Sequence, residues 1–259
     1  MTPTELLFQH RSIRKYRSEP LEPALLNRLL EAGTRASTTG NMQVYSIVVT
    51  QDAERKEQLK KCHFNQAMVS EAPVVLTFCA DINRFNTWCK ARNAEPGYNN
   101  FLWFVNGAID AILAAQNVCI AAEDAGLGIC YLGTATYMAD EIIELLKLPH
   151  GVVPVTAITV GYPSETPELT DRLPLEAVVH HETYLPYSTE KINALYHEKE
   201  HLELTKKLLI ENQLPNLAQI FTEKRYKKTD NEFFSEKFMN TLIRQGFVKK
   251  CHPERGEAK

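Results

Sequence analysis

The chain has 259 residues, of which 44% are hydrophobic and 24% charged, with both signs mixed to a net charge of −3. That length suffices for one large domain or two small ones around a sizeable core. The charge balance argues against a general nucleic-acid or membrane-surface binder.

The start, Met1-Thr2-Pro3-Thr4-Glu5, has no basic segment followed by an apolar run. No secretory signal is therefore expected, and the cytoplasm is the default compartment. Thr4 is expected to cap a short helix, with Glu5 in its first turn, that delivers His10 and Arg11. The run His10-Arg11-Ser12-Ile13-Arg14-Lys15-Tyr16 follows. In a turn or helix, a three-residue spacing puts both guanidiniums on one side. Arginine matches a phosphate bidentately, and Ser12 adds a neutral hydrogen bond. A solvated basic surface remains the competing reading of this run.

Leu25, Leu26, Leu29, Leu30 and Ala32 give helical periodicity up to Gly33. A polar loop, Ser37-Thr38-Thr39-Gly40-Asn41-Met42-Gln43, leads to a β-branched strand at Tyr45–Thr50. A charged amphipathic helix is expected over Ala53–Lys61, then a turn with Asn65 and Gln66, then a strand from Val74 to Ala80. Asn83–Asn99 reads as a long polar and aromatic excursion. Ala108–Ala125 is apolar on nearly all faces and reads as a buried helix. Its Ala108–Ala122 core is expected to be too short to span a bilayer, and Asp110, Gln116 and Asn117 interrupt it. The small side chains along it would allow close approach to its own sheet or to a second subunit.

Ile129–Thr134 follows as an apolar stretch, Glu141–Leu146 as a helix, Val155–Gly161 as a strand, and Pro167–Pro174 as an exposed connection. After Tyr184 the character changes to charged amphipathic helices over Lys191–Ile210 and Phe233–Gly246, and to a frayed tail over Cys251–Lys259. The expected division is a core over 1–184 and a helical C-terminal extension over 185–259, within one globular unit. A sheet flanked by helices is the expected architecture.

The six cysteines form no CxxC pair and read as core residues rather than as disulfides or zinc ligands. His180, His181, His197 and His201 read as surface residues, and no metal site is expected.

Four polar loops, HRSIRKY, STTGNMQ, FNQAM and CYLGT, each adjoin a strand or core helix. Rigid scaffolds present ligand contacts at such places. Arginines, hydroxyls, amides and a glycine suit a ligand with a phosphate and a flat heterocycle. No nucleophile–base pair and no Walker lysine stands among them, so a cofactor is expected to carry the chemistry. A phosphate-ligand domain unrelated to flavin is a third reading, which leaves CYLG and the amides without a role.

The order and spacing of HRSIRKY, ASTTGNMQ, APVVLTFCAD, AQNVCIAAEDAGLG, CYLG, LPHGVVPVTAITVGYP and RLP resemble the nitroreductase family. The likeness is to its oxygen-insensitive NADPH nitroreductases and NADPH-dependent flavin reductases. The resemblance implies an α+β fold with a mixed, mainly antiparallel sheet flanked by helices, in an intertwined homodimer. It implies FMN at the subunit interface, reduced by NADPH or NADH in a ping-pong hydride transfer and reoxidised by a nitroaromatic, a quinone or free flavin. A non-catalytic FMN store or redox sensor is the alternative.

By position, the resemblance gives His10, Arg11, Ser12, Arg14, Thr38, Thr39, Asn41, Gln66, Tyr131, Leu132, Gly133, Thr134 and Arg172 as FMN contacts, and Arg225 as a contact for the NADPH 2′-phosphate. Two departures stand out. Thr170 occupies a position where the family often has lysine, and the turn usually written Tyr-Ile-Gly-Gly ends here in Gly133-Thr134.

Overall fold

The computed structural model describes residues 2–249. The expected tail at Cys251–Lys259 lies outside them. The chain divides into two compact units, one reaching Glu168 and resuming at Ser235, the other running from Leu169 to Phe234. The expected boundary after residue 184 marks a change in the character of the sequence, whereas contacts between residues divide the chain after Glu168.

In the first unit, α1 (Pro3–Phe8) is capped by Thr2, not Thr4. Proline at the first helical position pre-sets φ and lacks only an N–H that would be unpaired anyway. Thr2 and Glu5 then satisfy each other's backbone N–H groups in a capping box. The helix ends before His10, and residues 11–16 are extended. After α2 (Pro23–Thr34) come β1 (Tyr45–Thr50), α3 (Ala53–Cys62), the single turn α4 (Met68–Glu71) and β2 (Val74–Asp81).

The expected excursion after β2 is partly a helix, α5 (Asn83–Lys90). Its start is capped from outside by the Asp81 carboxylate, which accepts from Arg84 N at 3.2 Å. α6 (Phe101–Asp124) begins earlier than expected, where Asn100 caps it. β3 (Gly128–Leu132), α7 (Ala139–Leu146) and β4 (Val152–Gly161) complete the core.

Among the described residues the strands form one sheet in the order β1-β2-β4-β3, with every neighbouring pair antiparallel. A parallel bridge from Ser12 to Ile129 attaches the HRSIRKY segment to its β3 edge. β4 starts at Val152 rather than Val155 because a bulge between Phe78 and Cys79 of β2 accommodates Pro154, which has no N–H for the ladder.

Helix α6 is 24 residues long and, by length and composition, long and apolar enough to cross a membrane, contrary to the expectation of a shorter run. Here it packs as a core helix, with Ala111, Ala114, Ala115, Val118, Cys119 and Ala122 fully buried beside the sheet residues Leu76, Phe78 and Ile158. The opposite face stays open: Ile109, Ile112 and Leu113 are 48%, 47% and 42% exposed. The expected burial on all sides is thus met on one side only within this chain. Cys62, Cys79, Cys89, Cys119 and Cys130 are buried free thiols.

The second unit holds α8 (Thr189–His201), α9 (Glu203–Asn212), the single turn α10 (Leu217–Gln219), a π-helical turn at Ile220–Arg225, and the start of α11 (Lys228–Arg244), which ends in the first unit. The expected single helix over 191–210 breaks at Leu202, whose backbone is extended. Thr205 stabilises the break by donating to the carbonyl of Lys199 at 2.8 Å.

Candidate functional site

The HRSIRKY segment is held as a short edge strand by Ile13, whose N–H donates to the Ile129 carbonyl at 2.8 Å and whose side chain is buried. Successive side chains of an extended segment point to opposite faces. Arg11 and Ile13 accordingly line one groove of about 230 Å³ with Glu123, Gly128 and Glu165. Ser12 and Arg14 act on the other face, where both oppose the upward push that burial gives the Cys130 thiol. The helical expectation of two guanidiniums on one side is therefore corrected. The helical period fails here because the residues pair with a strand more than 100 positions away.

The two arginines also differ in occupation. Arg11 donates from Nε to Pro167 O at 2.9 Å and from Nη1 to Gln9 O at 2.8 Å. Arg14 is exposed, and among the described residues its guanidinium has no hydrogen-bond or ion-pair partner. Its backbone is fixed by Glu165, whose Oε1 accepts from Arg14 N at 2.8 Å and Lys15 N at 3.1 Å. His10 Nδ1 stands 2.6 Å from Glu123 Oε1.

The STTGN loop is anchored by a residue on α6. Asp110, 1% exposed, accepts from Thr39 N at 2.9 Å, Thr39 Oγ1 at 3.3 Å and Val44 N at 3.2 Å. Three bonds offset the cost of burying a carboxylate. Between the anchors, Gly40, Asn41 and Gln43 take φ of 56°, 56° and 54°, in the left-handed region. Arg84 ties its far end by donating to the carbonyls of Gln43 and Tyr45. Thr38 and Asn41 remain on the loop surface, half-buried and exposed respectively.

The FNQAM loop and the CYLGT turn are joined directly. Phe64 and Asn65 adopt φ of 52° and 57°, turning the chain so that Gln66 is half-buried. Just before them, fully buried His63 places Nδ1 2.7 Å from Thr134 Oγ1. Burial lowers its pKa to about 4, so the ring is neutral near pH 7. Leu132 is a core residue at 1% exposure. Tyr131 is half-buried with Oη 3.3 Å from Gln116 Oε1, its pKa raised mainly by burial. Gly133 is exposed, and a Cβ built on it would meet nothing within 4 Å.

Arg172 and Arg225 belong to the second unit. Arg172 donates from Nη1 to the carbonyls of Thr170 at 3.2 Å and Asp171 at 2.9 Å. Lys199 is paired with Asp171 at 2.5 Å. Arg225 lies over the Phe221 ring, 5.5 Å from its centroid. The histidines of this unit divide: His197 and His201 are exposed, whereas His180 is half-buried with Nε2 2.9 Å from Tyr187 Oη.

The structure thus joins Ser12 and Ile13 to the end of β3, and His63 to Thr134. It attaches the STTGN loop to α6. Four residues that position these loops were missed as such in the sequence: Asp110, His63, Glu165 and Arg84. A carboxylate inside an apolar helix was the available signal for Asp110, since a buried charge demands partners. Nothing local marked the other three.

Comparison with known proteins identifies the family. The nitroreductase family model matches residues 7–162. The chain is 36% identical over 182 residues to an "FMN reductase (NADPH)" of Bacillus subtilis, covering 70% of this chain and 73% of that one. It is 36% identical over 200 residues to an "Oxygen-insensitive NADPH nitroreductase" of Salmonella typhimurium, covering 77% and 81%. A solved structure from Bacteroides fragilis superposes with a TM-score of 0.93 at 55% identity, covering 94% of this chain and 99% of that one. The chain belongs to the nitroreductase family and has its α+β fold.

The residues fit FMN by their chemistry. Arg14 offers an uncommitted cation for a phosphate, and Ser12 and Thr38 offer hydroxyls. Gly133 leaves the surface of its turn open to a flat ring.

Proposed function

We propose that this protein is an FMN-dependent NAD(P)H oxidoreductase that reduces nitroaromatics, quinones or free flavin. The observation that carries the reading is the family match over 7–162, which takes in all four polar loops and ties the chain to relatives named as an NADPH-dependent FMN reductase and an NADPH nitroreductase. Bound FMN would supply the redox chemistry, accepting electrons from the nicotinamide and passing them to the acceptor.

The chain's own part is to bind and orient. Arg14 attracts the phosphate, and its place is set by the Glu165 clamp on its backbone. Ser12, Thr38, Asn41 and Gln66 offer hydrogen bonds to the ribityl chain and ring, and Tyr131, Leu132 and Gly133 present the turn against which the ring would lie. Thr39 acts at one remove, because both its N–H and its hydroxyl are committed to Asp110. Arg11 and His10 are already engaged with Gln9, Pro167 and Glu123, which suits them to shaping the segment. Arg172 is likewise engaged, with the carbonyls of Thr170 and Asp171, so its role as a phosphate cation rests on the family resemblance alone.

A preference for NADPH over NADH rests on Arg225, which stacking on Phe221 holds in a defined place for a 2′-phosphate. We also infer a homodimer. The support is the uncovered apolar face of α6, where Leu102, Ile109, Ile112 and Leu113 stand 42% to 65% exposed. A cytoplasmic location accords with five buried free thiols.

The test is steady-state NADPH oxidation with added FMN and a quinone or nitroaromatic acceptor. Acceptor-dependent turnover is expected. Flavin that binds but stays oxidised with both nucleotides would favour a storage or sensing protein.

A further inference from the structure

His63 caps α3 with its backbone N–H bonded to the carbonyls of Leu59 and Lys60, and its ring is wholly buried. Nδ1 lies 2.7 Å from Thr134 Oγ1, while Nε2 is buried with no hydrogen-bond partner among the described residues. A neutral imidazole carries one N–H, so two tautomers compete. Protonation at Nε2 would bury an unpaired donor and leave Nδ1 to accept the Thr134 hydroxyl. Protonation at Nδ1 lets the ring donate to Thr134 Oγ1 and leaves only a lone pair unsatisfied. Orphaned buried N–H groups are rarer than under-satisfied acceptors, so the second tautomer is favoured.

That choice has a chemical consequence for Thr134. Its oxygen receives the His63 proton, and its own hydroxyl hydrogen has no acceptor among the described residues. Thr134 is half-buried and adjoins exposed Gly133, so a ligand resting on the turn would lie beside the residue that carries this hydrogen.

We propose that Thr134 is a hydrogen-bond donor to the bound cofactor, its hydroxyl oriented by the Nδ1–H of His63. This rests on reading the turn as part of the FMN site; the acceptor would be a nitrogen or carbonyl oxygen at the ring edge. Thr134 touches the cofactor, and His63 is a positioning residue. A donor at the ring edge stabilises the electron density gained on reduction, so it raises the potential of the bound flavin.

The experiment has two readouts. The first is the tautomer of His63, read from ring 15N shifts in the FMN-free protein. The second compares wild type, Thr134→Ser and Thr134→Val for FMN affinity by fluorescence titration and for the midpoint potential of bound flavin. Expected are an Nδ1–H ring, a more negative potential in Thr134→Val with FMN bound about threefold to tenfold more weakly, and near wild-type values in Thr134→Ser. An Nε2–H ring would overturn the orientation, and a Thr134→Val protein with unchanged affinity and potential would overturn the donor role. A wild type that binds no FMN would overturn the functional reading and the proposed ligand with it. That outcome is distinguishable because the tautomer is measured without cofactor.

Discussion

Thr39 and Asp110, 71 residues apart, are joined by a 2.9 Å bond from the Thr39 N–H to a carboxylate that is 1% exposed. The same carboxylate accepts from Val44 N, so a single side chain on α6 holds the STTGN loop at Thr39 and the chain just beyond it. Replacing Asp110 with Ala leaves two backbone donors unpaired. The expected loss is about 3–6 kcal/mol of stability, as buried hydrogen bonds to a charged group are each worth about 1.5–3 kcal/mol. Urea unfolding measures it, and Asp110→Asn should fall between wild type and the alanine variant. A wild-type midpoint in Asp110→Ala would show that the loop is held by something else.

Arg11 and Arg14 should separate in their effects. Arg14→Ala removes an uncommitted exposed cation, so FMN should bind roughly tenfold more weakly while stability stays within about 0.5 kcal/mol. Arg11→Ala removes donors to two backbone carbonyls and should lower stability by about 1 kcal/mol. Equilibrium dialysis for FMN, alongside thermal unfolding, reads both. The reverse pattern would exchange their roles.

His63 makes stability depend on pH. Its folded pKa of about 4 lies below the ordinary value of 6.5, so the unfolded chain binds this proton at higher pH than the folded one. The contribution is full above pH 6.5 and is lost as pH falls toward 4, by about 3 kcal/mol in all. Comparing wild type with His63→Phe across that window isolates it: wild type should lose stability relative to the variant as pH falls. A difference constant with pH would mean that the buried ring titrates normally.

Gly128 lies where the HRSIRKY segment meets β3. A Cβ there would stand 2.6 Å from Ile13 Cγ1, with two further Ile13 atoms within 2.8 Å. Gly128→Ala should therefore cost about 1–3 kcal/mol by overpacking and push the segment off the sheet edge. Restoring the space with Ile13→Ala in the same chain should recover part of the loss, and a purely additive double variant would exclude this contact as the cause.

Local chemistry told much of the fold in advance. β1 was legible to the residue because Tyr45–Thr50 is rich in β-branched residues and lies between polar loops. α6 announced itself by its apolar length. The misreadings share a cause, which is dependence on distant partners. The HRSIRKY segment takes its extended form from a bridge to Ile129, so its own spacing misled. α5 is capped by Asp81 and packed by the ring contacts of Phe85 with Trp88 and Tyr98, none of which shows as helical periodicity. Leu202 breaks a run whose charge pattern continues smoothly through it. In the site, surface residues such as Arg14 and Gly133 stood out through the family resemblance. The buried residues that hold the loops, His63 and Asp110, could be understood only once their partners were in view.

The most direct test of the account is the visible absorption spectrum of the protein after incubation with FMN and removal of excess, recorded before and after anaerobic NADPH. The account predicts a flavin spectrum that bleaches on adding NADPH and returns on adding a quinone. A protein that retains no flavin, or whose flavin spectrum persists with NADPH and NADH alike, would contradict it.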